Sequence, residues 1–350
     1  MAVYTQIDNP ELYMQCKAYS GTGSSLALTF DGSEDMQANL VWLKCRSHSG
    51  NHFLYDSVRG ANRSLVPNDT DAEDTSGEST NYLTSFDSDG ITLGGSYNNT
   101  NASGRTYVAW CWKAGGSASS NSNGSITSSV SASTTAGFSI VSYTGTGSNP
   151  STIGHGLGSV PRMIITKRRS GDTASWHSYH ASIGNSYDIY LNGANAKASD
   201  TSWNSTTPTS SVFTINGANV NISSTPYIAY CFAEKQGFSK FGSFVGNSNT
   251  NGPFIYTGFK PSLVIAKVAS DINDWFMFDN KRSSFNAVDD SLFPNKSDAE
   301  STSHVIDFLS NGFKIRDSDG TVNSTGNTYI YIAFAEAPFV NSKGVPANAR

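Results

Sequence analysis

Charge is what this sequence has least of. Lys, Arg, Asp and Glu make up 15% of its 350 residues, against about 25% in an ordinary soluble domain. The net charge of −5 is spread thinly along the chain, which argues against nucleic acid as the main partner. Cysteine is scarce too. The four residues, Cys16, Cys45, Cys111 and Cys231, include no C-x-x-C pair, so no zinc ribbon or dithiol centre is written in the chain, and buried free thiols suited to a reducing compartment are expected. No apolar run approaches the roughly 18 residues of a membrane span. Met1 to Asp8 lacks the charged-then-apolar pattern of a secretion signal. Long stretches of helical period are also missing.

What remains is a polar chain rich in Ser, Thr, Asn and Gly, with aromatics at 12%, enough to build several cores. Its many short apolar runs, separated by Gly, Asn, Ser and Asp clusters, predict an all-β fold. One run recurs. Tyr107-Val-Ala-Trp-Cys-Trp-Lys-Ala114 returns as Tyr227-Ile-Ala-Tyr-Cys-Phe-Ala-Glu234 and as Tyr329-Ile-Tyr-Ile-Ala-Phe-Ala-Glu336. Large apolar side chains alternate to both sides of each copy, so it reads as a strand buried on both faces.

The neighbourhood of each copy recurs with it. A polar turn precedes it (Asn101-Ala-Ser-Gly104, Asn221-Ile-Ser-Ser224, Asn323-Ser-Thr-Gly326), and before that a short alternating strand (Gly90-Ile-Thr-Leu93, Val212-Phe-Thr-Ile215, Gly312-Phe-Lys-Ile315). Further upstream an apolar strand ends in Lys44, Lys167 or Lys267, and is followed by Phe53-Leu-Tyr-Asp56, Trp176-His-Ser-Tyr-His180 or Trp275-Phe-Met-Phe-Asp279. A period of roughly 100 residues is the size of one small sandwich domain. We therefore expect three tandem β-sandwich repeats of jelly-roll or lectin-like type at 13–114, 137–236 and 237–338. They are flanked by an N-terminal arm at 1–12, a Gly/Ser-rich linker at 115–136 and a tail at 339–350. The reading is of beads in a row, the first swinging on a flexible tether, although Ile126 to Val130 has the pattern of an edge strand.

Candidate chemistry concentrates in the second repeat. Trp176, His177, Tyr179 and His180 form an unusual cluster of rings and imidazoles, and are the expected ligand-binding residues. On a strand His177 and His180 fall on opposite faces, which separates them as metal ligands. The counterparts of His180 are Asp56 and Asp279. Asp87-Ser-Asp-Gly90 and Asp317-Ser-Asp-Gly320 resemble fragments of a calcium loop but sit at different places in their repeats and lack its distal Glu, so they read as turns. The three lysines hold their place in the repeat. They read as stems extending the apolar strand, with heads in solvent or paired to Asp56 or Asp279. Lys167-Arg168-Arg169 is the one notable basic cluster, a solvated strand end or a contact for a phosphate or anionic glycan. No catalytic residue, metal or cofactor is expected.

Taken together, Tyr143-Thr-Gly-Thr-Gly147, His155-Gly-Leu-Gly158, Trp176 to His180, Tyr227 to Glu234 and Asp298-Ala-Glu300 resemble a repeated domain of structural proteins in marine bacteriophages, those of cyanobacterial phages above all. The likeness extends to Phe86-Asp-Ser-Asp-Gly90 and Ala347-Asn-Ala-Arg350. It implies a virion part, assembled in the host bacterial cytoplasm and displayed on tail or head as a fibre or adhesin for host attachment. The alternatives are a capsid decoration or head fibre, and a glycan-degrading enzyme of the virion. Its expected partners are other virion proteins, further copies of itself as a homotrimer, and a host surface glycan, with neither nucleic acid nor membrane insertion.

Overall fold

In the strand Thr106–Trp112, alternate side chains leave opposite faces. Tyr107, Ala109 and Cys111 enter an apolar cluster with Leu28, Phe53 and Ile91, while Val108, Trp110 and Trp112 enter a second, separate one. The strand Pro226–Ala233 does the same, sending Tyr227, Ala229 and Cys231 to one side and Ile228, Tyr230 and Phe232 to that same second cluster. In Thr328–Pro338 the division is Tyr329, Tyr331 and Ala333 against Ile330, Ile332 and Phe334. The structure, a computed structural model, describes residues 5–75 and 82–347. Residues 1–4 of the expected arm and 348–350 of the expected tail lie outside the described residues.

The two faces have different purposes. In the first unit Met14–Ser20, Thr106–Trp112, Leu40–Cys45 and Phe53–Asp56 form one antiparallel sheet in that order, and Leu26–Leu28, Gly90–Leu93 and Leu83–Asp87 form a smaller one. The third unit repeats this with Ser239–Val245, Thr328–Pro338, Phe259–Val268 and Trp275–Asp279 against Phe254–Tyr256, Gly312–Ile315 and Ile306–Leu309. The second unit keeps the plan but widens its large sheet to eight strands, over a pair made of Ser151–Gly154 and Val212–Ile215. Each unit thus has its own small sandwich core, and the fold is all-β, as expected.

Local bonding repeats as closely. Asn101, Asn221 and Asn323 each accept from a backbone N–H in the turn after Met14–Ser20, Phe138–Thr144 or Ser239–Val245, from Thr22, Thr146 and Asn247, at 2.9 Å in all three. In that turn Gly21, Gly145 and Gly246 pass so close to the chain that an added Cβ would lie 2.2 Å from a carbonyl oxygen, of Ala102, Ile222 and Ser324 respectively. Tyr19-Ser-Gly21, Tyr143-Thr-Gly145 and Phe244-Val-Gly246 record this approach, which only glycine permits.

The second cluster joins the units. Trp112, Phe232 and Phe334 occupy the same position in their strands and meet as a triangle, with ring centroids 6.5, 5.6 and 5.9 Å apart in edge-on geometry. Each such pair contributes about 0.5–1.5 kcal/mol beyond the area it buries. An apolar cavity of about 30 Å³ sits beside them, lined from all three units by residues that include Trp42, Ile165 and Ile265. The expected row of beads is therefore corrected. The outer face of each large sheet is apolar and unpartnered within its own sandwich, so three such faces bury one another in a closed ring.

Two further expectations change with it. The 115–136 linker is no tether: Ser119–Asn121 pairs with Ser128–Ser133, which pairs with Phe138–Thr144, adding two strands to the second unit's sheet. The expected edge strand in Ile126 to Val130 falls partly within it. The lysines reach neither solvent nor Asp56 and Asp279. Lys44 Nζ donates to Ser297 O of the third unit at 3.3 Å, Lys167 Nζ to Thr70 O of the first at 2.8 Å and Lys267 Nζ to Ala194 O of the second at 3.2 Å. Each unit so grips a loop of the preceding one around the ring, and burial lowers all three amines to about 8. The arm folds back on its own chain, Ile7 in the central cluster and Asp8 accepting from Ser342 N at 2.7 Å. Among the described residues no helix is long and apolar enough to cross a membrane.

Candidate functional site

The four expected ligand-binding residues lie on or just before the strand His177–His180, and the structure separates them. Trp176 is fully buried at the contact with the first unit, its Nε1 donating to Val66 O at 2.9 Å. Tyr179 points into the second sandwich core, edge-on to Trp203 at 6.0 Å. His180, also fully buried, faces the third unit, where its Nε2 lies 3.2 Å from Tyr331 O. Burial lowers its pKa to about 4, so the ring is neutral and Nε2–H is the donor. As an exposed ligand patch the set of four is therefore corrected, because the aromatic and imidazole character that singled it out seals the ring. His177 alone reaches a surface groove.

That groove, of about 220 Å³, is lined by Arg168, Thr173, Ser175, His177, Tyr190 and Asn219 among others. Pairing of His177–His180 with Tyr187–Tyr190 puts His177 opposite Tyr190 and Ser178 opposite Ile189. Asp188, the residue before Ile189, is 2% exposed. Its Oδ1 accepts from Ser178 N at 2.8 Å and Ile189 N at 3.0 Å, and its Oδ2 meets His177 Nδ1 in a short contact. Burial raises the Asp188 pKa, and the bond to His177 opposes that shift. With Nδ1 held by the carboxylate, Nε2 is the ring nitrogen left for the groove. The arrangement fixes the ring's tautomer and turn, as in an oriented general base. Tyr190 stands edge-on to His177 at 5.1 Å.

Arg168 supplies the charge. Of the three consecutive cations, Lys167 is enclosed by carbonyls, and Arg169 forms a paired contact with Glu73, Nε at 2.9 Å from Oε2 and Nη2 at 2.9 Å from Oε1. Arg168 bonds only to the carbonyls of Asp172 and Thr173, and its buried Nε has no partner. Among the described residues it makes no ion pair. In a second groove of about 240 Å³, by contrast, Lys240 and Glu234 neutralise each other at 2.7 Å beside the exposed ring of Tyr256.

The first and third units have no counterpart of the His177–Asp188 pair, so the fold does not need it. Sequence reasoning missed Asp188, Tyr190 and Arg168 as neighbours of His177. The one available signal was a lone carboxylate in the otherwise apolar Tyr187-Asp-Ile-Tyr190, a residue that is buried only when paired. Asp87 instead accepts from the hydroxyls of Ser85 and Thr92, and Asp317 from Asp319 N, which is turn chemistry. Among the described residues no group of three or more His, Cys, Asp or Glu is placed to hold a metal ion. All four cysteines are buried free thiols.

Residues 9–338 match the family described as Domain of unknown function (DUF7483). No curated protein and no solved structure matches the chain.

Proposed function

The chain belongs to that family of unknown function, and from this premise we propose that it is a bacteriophage virion structural protein, displayed on the tail or head and used as a fibre- or adhesin-type protein for host attachment. The observation that carries this reading is the closed ring. The residues that recur in every unit, the strand aromatics and the three lysines, hold one unit to the next, as suits a rigid building block. One groove on the second unit departs from the repeat, so each copy of the chain presents one such site, and avidity comes from many copies on one particle. Resemblance to repeated domains of marine phage structural proteins supplies the particle.

Three apolar sheet faces already seal one another within a single chain, so a homotrimer of whole chains would use other surfaces. Gold-tagged antibody against this chain, applied to particles of the phage that encodes it, tests the proposal by electron microscopy. Label on the tail or its fibres supports attachment. Label spread over the head makes the protein a decoration or head fibre and sinks the attachment reading. Unlabelled particles sink the virion reading. A glycan-degrading enzyme is the second reading, favoured by the oriented His177. Release of reducing sugar from host polysaccharide, lost in Asp188→Asn, would establish it.

A further inference from the structure

Arg168 and His177 come from neighbouring strands, Pro161–Arg168 and His177–His180, that pair through Met163 to Thr166. Both line a groove whose His177–Asp188 pair the other two units do not reproduce. Each brings an unfilled bonding capacity to it. Arg168 carries a charge with no carboxylate partner and a buried Nε with no acceptor. His177 has Nδ1 held by a buried aspartate, and among the described residues its Nε2 makes no bond to the chain. Around them stand the hydroxyls of Thr173 and Ser175, the exposed amide of Asn219 and the partly exposed ring of Tyr190.

Each part of this lining selects a feature of a ligand. An unpaired guanidinium selects an anion; with Nη2 held by the Asp172 and Thr173 carbonyls, Nη1 is the group that Arg168 offers to a carboxylate. A fixed imidazole nitrogen, two hydroxyls and an amide suit a dense array of hydroxyl groups. An aromatic ring suits the apolar face of a saturated ring. A volume of about 220 Å³ falls below the roughly 300 Å³ at which drug-sized pockets begin, so the groove admits one ring of a longer chain. We propose that the His177–Arg168 groove binds an acidic sugar unit, a uronic acid within a polysaccharide, with the carboxylate on Arg168, a hydroxyl on His177 Nε2 and the ring against Tyr190. The assignment deepens the attachment reading and rests on it for the source of the glycan, whereas the chemistry follows from the groove itself.

The test uses the purified full chain and titration calorimetry. An oligogalacturonate should bind. Its methyl ester, with the same hydroxyls and no charge, should bind at least tenfold more weakly. Arg168→Gln should lose at least tenfold for the acid and little for the ester. Asn219→Ala, at an exposed position that folding does not require, should lose about threefold and keeps the test open if Arg168→Gln fails to fold. Equal binding of acid and ester would overturn the proposal, as would unaltered binding in both variants or no binding at all. Inorganic sulfate binding as tightly as the oligomer would also overturn it, by reducing the groove to an anion site. Binding of oligogalacturonate by a chain whose antibody labels no particle would keep the groove and remove the virion reading. Labelled tails with no binding would do the reverse.

Discussion

Trp110 Nε1 donates to Asp279 Oδ2 at 2.9 Å across the contact between the first and third units. At the equivalent place between the second and first units, Tyr230 Oη donates to Asp56 Oδ2 at 2.8 Å. Behind each aspartate stands a buried arginine three residues on, Arg282 or Arg59, and behind that a glutamate, Glu300 or Glu73. An arginine of the unit that supplies the aromatic, Arg46 or Arg169, closes the group on the same glutamate. Two of the three contacts in the ring therefore carry the same five-residue network, and in both the aromatic, the aspartate and the arginine behind it are buried.

Removing different members of the network should cost different amounts. Trp110→Phe deletes the donor and, at a fully buried position, the pyrrole half of the indole, a loss of about 2–3 kcal/mol. Asp279→Ala leaves Arg282 buried with only Glu300 to pair with, a loss of about 3–5 kcal/mol. Urea unfolding midpoints for the two variants, at constant m-value, measure the difference. Losses of equal size would mean that the aspartate contributes no more than the donor and the pyrrole half of the indole.

The shared cluster also sets cooperativity. Because Trp112, Phe232 and Phe334 touch one another, no unit unfolds without exposing apolar faces of the other two. Calorimetry of the whole chain should give a single transition, whereas three independent sandwiches would give separable ones. Residues 115–236, the second unit with its two added strands, expressed alone would expose Ile140, Ile165, Ile228 and Phe232 from the central cluster. They should aggregate or bind a hydrophobic dye, and a soluble, dye-silent fragment with a sharp transition would contradict the closed ring.

Much of this was legible in the sequence. Burial of the recurring strand on both faces followed from its alternation, and the turn residues Asn101, Asn221 and Asn323 all prove to bond alike. The source of the second layer was not legible, because an apolar face has the same composition whether its own domain or a neighbour covers it. The Gly/Ser run misled for a related reason: Ser128 and Ser131 are buried in a strand of small residues, and composition alone does not distinguish such a strand from a tether. His177 was visible as a residue type, whereas its partner Asp188 depends on the pairing of two strands that no spacing rule gives.

Acid should loosen the contact between the second and third units. His180 has its pKa lowered by burial to about 4 from an ordinary value of 6.5. The unfolded chain therefore takes up a proton first as pH falls, and the stability present above pH 6.5 is lost progressively down to about 4. At pH 5 the loss from this one group is about 2 kcal/mol relative to pH 7.5. Burial lowers the pKa values of His52 and His155 as well, so the whole chain should lose more than this. His180→Gln should remove about 2 kcal/mol from the difference between the two pH values, read from urea unfolding at each. An unaltered difference would show that His180 takes no part in it.

The third contact lacks the network, and the change involves every member. His180 stands where Asp56 and Asp279 stand, Ile183 where the arginines do, Ile332 in place of Trp110 and Tyr230, Lys197 in place of the glutamates and Ala269 in place of Arg46 and Arg169. The backbone bonds are kept, with Lys197 N on Ala269 O at 2.9 Å matching Glu73 N on Arg169 O at 2.9 Å and Glu300 N on Arg46 O at 2.8 Å. A network whose parts depend on one another should be lost and gained as a whole. His180→Asp alone should cost at least about 3 kcal/mol, since it buries a carboxylate with no arginine behind it. Adding Ile183→Arg, Lys197→Glu and Ile332→Tyr should recover at least half of that, with coupling above about 1 kcal/mol between the first two changes. If the changes simply sum, the five positions are independent and the shared divergence of this contact has another origin.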